Sequence, residues 1–204
     1  MKSDSTTQRG RNPRGQGGRL REDIVAAAIG LLDTLGDDQA LSMRAVAREI
    51  GSAATSVYLH FADRDALVLA ALEQYHGDLV RAIDDAEAAA DDPVGKLRAR
   101  THVLGAWAAR HPGLYKVLHE STLNQRTAMP FTQELTDRTI AAIQRCMDAG
   151  LVPDDDAASV TLDLRAAVHG AVSMRLNQPD KPWPPLTDQI ERFLVRLVGV
   201  APAG

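Results

Sequence analysis

The stretch LSMRAVAREIGSAATSVYLHFADRDAL, residues 41–67, decides how the rest of the chain is read. Ser42 stands ahead of an apolar-periodic run as a helix N-cap, and a first short helix is expected to run to about Ile50. Gly51 breaks that helix, because a sharp turn asks for a backbone conformation that other residues resist. A second short helix is expected from about Ala53 to His60. Leu41, Val46, Ala47, Ile50, Val57 and Phe61 can form one small core between the two, with Ala47 small where the helices approach closely. This is the pattern of a helix-turn-helix centred on Gly51.

Such packing turns the start of the second helix outward. It bears Ala53, Ala54, Thr55 and Ser56, none bulky enough to obstruct insertion into a major groove. The flanking polar groups suit phosphates. Ser42 can offer its hydroxyl and free backbone N–H groups, and Arg44 is long enough for a phosphate or a guanine. Tyr58 and His60 bring a hydroxyl and an imidazole to the exit of the helix. Arg64 falls in the first turn of the next helix, where the dipole disfavours a cation and a nearby phosphate would compensate. A plain solvated arginine is the alternative reading.

Ser42-Met43-Arg44, Ala47 through Gly51, and Val57-Tyr58-Leu59-His60-Phe61 followed by Asp63-Arg64-Asp65-Ala66-Leu67 resemble the DNA-binding domain of the tetracycline-repressor (TetR) family. The resemblance covers residues 20–68. It implies a homodimer with a three-helix DNA-binding head and a divergent ligand-sensing body. It also implies DNA-facing roles for Ser42, Arg44, Ala54, Thr55, Ser56, Tyr58, His60 and Arg64. Ala53 and Ala54 replace the polar or basic residues that many members carry there. They can touch a thymine methyl but form no side-chain hydrogen bond, so base selection is expected to lean on Arg44, Thr55, Ser56 and DNA shape.

Working outward toward the N-terminus, Ile24, Ala27, Ala28, Leu31, Leu32 and Leu35 recur at helical spacing and end at Gly36, a C-cap. Residues 1–18 show no apolar periodicity and read as a disordered basic arm. Residues 1–21 hold six basic residues against one acid, a net +5 that leaves −9 on the remainder of a chain whose total is −4. A basic arm on an acidic body suggests local contact with an anionic partner, here a neighbouring minor groove, with a plain solvated tail as the alternative.

Toward the C-terminus a long amphipathic helix is expected from Asp63 to the Asp91-Asp92-Pro93 break. Further helices are expected over about 94–110, 112–120, 131–149, 155–177 and 186–199, separated by Pro and Gly. No segment alternates as a strand does. The expected fold is all-α with about nine helices: a head at 19–66 and a ligand-binding and dimerisation body at 67–204.

HPGLYKVL at 111–118 and His169-Gly170 resemble a subgroup of the family whose ligand domains are named for a Trp-His-Gly signature. The tryptophan expected shortly before His169 is absent, and Arg165 lies nearby. The resemblance implies an apolar or amphipathic effector inside the bundle, and Trp107, Tyr115, His119, Phe131 and His169 are its nominated contacts. Met129, Phe131, Met147 and Leu151 also read as core. Val160, Leu164, Ala167, Val168, Ala171, Val172 and Met174, with Leu186, Ile190, Phe193, Leu194, Leu197 and Val198, make apolar faces on the last two helices. A buried role inside the chain accounts for part of each face, and the family resemblance assigns the two helices to a four-helix dimer interface.

Single Cys146 excludes an internal disulfide and fits a reducing cytoplasm. No apolar run reaches the roughly 18 residues that span a bilayer, and no export signal is expected. The six histidines form no HExxH and no compact ligand set, and nucleophile elbow, phosphate loop and dinucleotide fingerprint are all missing. No catalytic residues, metal or cofactor are expected. An architectural DNA-binding protein would spend its surface on phosphate, unlike this acidic body. The residues leave open an activator, or a regulator without an effector.

Overall fold

The computed structural model describes residues 16–123 and 127–202. Residues 1–15 of the expected basic arm lie outside the described residues, and the first helix already begins at Gln16. Nine α-helices and no strand are found among the described residues, as expected from the sequence. They are α1 Gln16–Leu35, α2 Met43–Glu49, α3 Ala54–Tyr58, α4 Arg64–Ala88 and α5 Pro93–Arg110. Then follow α6 Pro112–Glu120, α7 Pro130–Asp148, α8 Ala157–Asn177 and α9 Leu186–Phe193, which continues as a π-helical turn at Leu194–Val198.

Local chemistry sets most of these limits. Ser42 Oγ receives the Ala45 N–H, Asp63 Oδ1 receives that of Ala66, and Asp92 Oδ1 receives those of Val94 and Gly95 ahead of Pro93. Asp156 does the same for Ala158 and Ser159, so these four helices start with one or two of their free N–H groups satisfied. Gly36 and Gly51 end α1 and the turn after α2 with φ of 62° and 64°, the left-handed conformation suited to glycine. Behind Gly51 the Ser52 N–H reaches back to the Ala47 carbonyl (2.8 Å).

The core is not divided where the head was expected to end. Ile24, Ala28 and Leu32 of α1, Val46 and Val57 of the helix-turn-helix, and Leu67, Leu72 and Tyr75 of α4 share one cluster with Leu114, Val117 and Leu118 of α6. A second cluster joins Leu97, Ile143, Cys146, Val160, Leu164, Ile190 and Leu194 from α5 and α7 to α9. Arg100 is buried to 1% exposure. It donates to Glu87 Oε1 (2.6 Å) and Thr139 Oγ1 (3.1 Å), tying α4, α5 and α7 together.

Candidate nucleic-acid interface and ligand cavity

In the helix-turn-helix, Leu41, Val46, Ala47, Val57 and Phe61 turn inward together, as their spacing requires, with Ile50 half-buried against them. Arg21 of α1 lies over the Phe61 ring at 5.0 Å. The opposite surface carries the proposed contacts. Ser42, Arg44 and Thr55 are exposed, Tyr58 is 55% exposed, and Ser56 and His60 are half-buried. Ala54 differs: it is half-buried against the head core, so it supplies packing before it supplies a base contact. α3 has no side-chain cap at Ala53, and its first N–H groups are therefore left for another acceptor.

Arg64 is not the unsatisfied cation that its helix position suggested. Its guanidinium donates to Asp65 Oδ1 (Nε 3.2 Å, Nη2 3.0 Å) and, more loosely, to the Gln39 carbonyl (3.4 Å). The neighbouring acid offsets the helix dipole, and no phosphate is needed to explain the residue. Leu59, passed over in the sequence, is 84% exposed beyond α3. Its only signal was its place between outward Tyr58 and His60, just past the end of a five-residue helix.

The head meets the body at a polar joint around Asp33, and the Ser121 hydroxyl adds a second contact by donating to Asp38 Oδ1. Asp33 Oδ1 receives the N–H groups of Gly113 (3.0 Å) and Leu114 (3.2 Å), and His111 Nδ1 lies 3.3 Å from Oδ2. The His111 ring also packs on Trp107 and Tyr75, with centroids 5.0 and 5.7 Å away.

Trp107 and Tyr75 are themselves part of the wall of a cavity of about 350 Å³ between α4 to α8. Of the five nominated contacts, Trp107, Tyr115, His119 and His169 line it. Phe131 does not appear among its lining residues; it packs on His76, ring centroids 5.0 Å apart, so it backs the wall instead of forming it. Tyr75, His76 and Arg165 line the cavity as well. The sequence did not single out Tyr75 and His76, because two neighbours within a long amphipathic helix look like any other stripe.

The aromatic wall is internally bonded. The Tyr115 hydroxyl and His169 Nδ1 share a hydrogen bond (2.7 Å), and His119 packs on both rings at 4.4 and 5.4 Å. Burial pushes His119 down to about 4, helped by His169, Arg165 and His76, so the ring is neutral at pH 7. Burial lowers His76 too, with Glu134 working against the shift. Both tyrosines are raised above their ordinary values, chiefly by burial. No group of three or more His, Cys, Asp or Glu among the described residues could hold a metal ion.

On α8 the expected apolar face divides. Val160, Leu164, Ala171 and Val172 are buried inside the chain, as are Ile190, Leu194 and Val198 of the last helix. What remains outward on α8 is Leu162 (65% exposed), Ala166 and Met174. Gly170, half-buried between Ala166 and Met174 in the chain, has open space beside its Cα. Met147 is core as expected, whereas Leu151 is exposed just after Gly150. No helix of the described residues is long and apolar enough to cross a membrane.

Comparison with known proteins agrees with this architecture. A family profile described as bacterial regulatory proteins, tetR family, matches residues 24–71. A second, tetracyclin repressor-like, C-terminal domain, matches residues 97–198. The HTH-type transcriptional regulator Rv1816 of Mycobacterium tuberculosis is 28% identical over 118 residues, 56% of this chain and 50% of that protein. The chain thus spans about half the length of the curated relatives it matches. A Rhodococcus sp. RHA1 protein of unknown function superposes with a TM-score of 0.77 at 23% identity, covering 93% of this chain and all of that one. FadR of Bacillus subtilis, solved with stearoyl-CoA, gives 0.73 at 14% identity over 87% and 97% of the two chains. SmeT, repressor of a Stenotrophomonas maltophilia multidrug efflux pump, gives 0.67 at 20% identity over 88% of each. At such identities the solved structures establish the fold alone.

Proposed function

This chain belongs to the tetR family of bacterial regulatory proteins, and on that footing we propose that it is a homodimeric, DNA-binding repressor of transcription released by a small-molecule effector. It acts in the cytoplasm and not as an enzyme. The observation that carries this reading is the outward surface of the head. Ser42, Arg44, Thr55 and Tyr58 stand exposed around the Gly51 turn, while every large apolar side chain there except Leu59 faces inward or is half-buried.

In this reading Thr55 and Ser56 approach base edges, Arg44 reaches a guanine or a phosphate, and Ser42, Tyr58 and His60 hold phosphates. Two heads then grip half-sites roughly 34–36 Å apart, or a related spacing. The second subunit is proposed to pair through α8 and α9. Support comes from the outward Leu162, Ala166 and Met174 on α8 and Leu197 after α9, apolar groups that the chain itself does not cover.

The cavity is proposed to hold the effector, supported by its volume, its aromatic wall and the stearoyl-CoA held by FadR, a protein of the same fold. Coupling to the head would run through α4 and through the Asp33 joint. It asks for about 1–3 kcal/mol of difference between DNA-competent and released states.

Selection of bound sequences from a random DNA pool, followed by anisotropy titration at several salt concentrations, tests the reading. A pseudo-palindromic sequence with a steep salt dependence is expected. Failure to enrich any sequence over bulk DNA would overturn it.

A further inference from the structure

We propose that the cavity takes a small apolar monocarboxylate of about a dozen non-hydrogen atoms, its tail toward Trp107 and its carboxylate at Arg165. The proposal rests on the reading of this cavity as the effector site and adds the chemistry of the effector. Size comes first: about 350 Å³, at roughly 30 Å³ for each water-sized group, holds about a dozen such groups.

Polarity narrows the class. Among the described residues the lining holds no Asp or Glu, and its charged side chain is Arg165. The acids that influence the wall, Asp33 on Tyr75, Glu120 on Tyr115 and Glu134 on His76, stand outside the lining, and Glu120 receives the Ser173 hydroxyl. An ammonium group drawn into this space would meet no carboxylate and a guanidinium of its own sign, a costly burial.

Hydrogen bonding points the same way. All five threonines among the described lining residues spend their hydroxyl protons on carbonyls of their own helix or its N-cap: Thr101 on Leu97, Thr132 on Met129, Thr136 on Thr132, Thr139 on Leu135 and Thr161 on Ala157. Unspent donors remain. Trp107 Nε1, at the tail end, is buried without a partner, as is His76 Nε2, whose role depends on its tautomer, and at the open edge Arg165 makes one hydrogen bond, to Thr136 Oγ1 at 3.2 Å. A guanidinium carries five N–H donors in a fork that matches a carboxylate. With their protons spent, the threonine oxygens keep lone pairs as acceptors, so it is the Arg165 guanidinium, the charged group among the described lining residues, that calls for an anionic head.

Orientation follows from the helix. Arg165 and His169 are four residues apart and share one side of α8. Leu162, Arg165 and Ala166 are exposed yet line the cavity, which places its open edge there. Trp107 and Tyr75 stand against His111 and the joint with the head. A carboxylate at the open edge meets the Arg165 guanidinium, where the partner's α8 would lie alongside in the proposed dimer, while the tail runs toward the residues that touch α1.

Decanoate, decan-1-ol and decylamine share a tail and differ at the head, so they separate the possibilities. The full chain carrying Trp183→Phe keeps Trp107 as its single tryptophan, and fluorescence titration at pH 7.5 then reports occupancy. Decanoate is expected to bind at least tenfold more tightly than decanol, with decylamine weakest. Arg165→Gln is expected to bring decanoate to the affinity of decanol while leaving decanol and the melting temperature unchanged. Decylamine binding as well as decanoate, or no response of decanoate to Arg165→Gln, would overturn the ligand class while leaving the cavity reading intact. No response of Trp107 to any of the three would overturn both. Decanoate binding with unchanged operator affinity would leave the ligand class standing and sink the release mechanism.

Discussion

Asp33 supplies the N-terminal cap that α6 lacks, and Gly113 is the residue that lets it come close enough. The N–H groups of Gly113 and Leu114 both end on Asp33 Oδ1, while His111, at the cap position, makes no side-chain cap bond of its own. A Cβ at 113 would run into the Asp33 backbone carbonyl. Gly113→Ala is therefore expected to force α1 and α6 apart at about 1–3 kcal/mol, roughly 2–4 °C of melting temperature per kcal/mol for a chain of this size. Asp33→Ala, which leaves the space and removes the cap, is expected to cost about 0.5–2 kcal/mol. In both, operator release by ligand should suffer more than operator affinity. Thermal melts and anisotropy titrations with and without ligand check this.

Gly51 answers to conformation alone. Its φ is 64°, and nothing lies within 4 Å of where a Cβ would stand. Gly51→Ala should cost about 1–2 kcal/mol, the penalty of the left-handed region, and Gly51→Asn distinctly less, since Asn tolerates that region. Equal melting temperatures for the two variants would contradict a purely conformational role.

Tyr58→Phe removes one hydroxyl from a side chain more than half exposed. Binding should weaken by a similar small factor on every DNA sequence if the hydroxyl meets a phosphate. Arg44→Ala should instead change the preference at particular base pairs if Arg44 reads guanine. Repeating the sequence selection with each variant distinguishes positioning from reading.

Acid should destabilise the fold through His119. Burial, with the nearby cationic groups, holds its folded value near 4 against 6.5 in the unfolded chain. Between those values the unfolded state binds the proton and the folded state does not. Stability is then full above about pH 6.5 and falls as pH drops toward 4, by at most about 3 kcal/mol. Denaturant melts at pH 7.5 and 5 should show the loss, and His119→Gln should reduce it. His76, lowered in the same direction, contributes to the loss that the variant retains.

The buried Arg100–Glu87 pair makes the sharpest stability test. Glu87→Gln leaves a guanidinium at 1% exposure without its anion and should cost about 3–5 kcal/mol. Arg100→Met with Glu87→Gln, which removes both charges, should recover much of that. A single variant within 1 kcal/mol of the parent would show that Thr139 and the packing suffice.

Much of this was written in short range. Gly36 and Gly51, and the caps Ser42, Asp63, Asp92 and Asp156, act on N–H and C=O groups within five residues, so their residue types and spacing could be read directly. The inward residues of the head were legible for the same reason, since two short helices and one turn leave a single way to close. The contact of Arg64 with Asp65 was not legible, because neighbours in sequence do not face each other on a helix.

The sequence by itself therefore determined the all-helical fold and most helix ends, the start of α1 at Gln16 excepted, and the outward turn of Thr55 and Tyr58 on α3. Tertiary structure alone decided which stripe of α8 the chain buries, because periodicity marks an apolar face without naming what covers it. It also decided that Phe131 stands behind His76 rather than in the cavity. And it brought Asp33 to an N-terminus about 80 residues away. A cavity exists where side chains of five helices fail to meet, and no local rule of spacing records that failure.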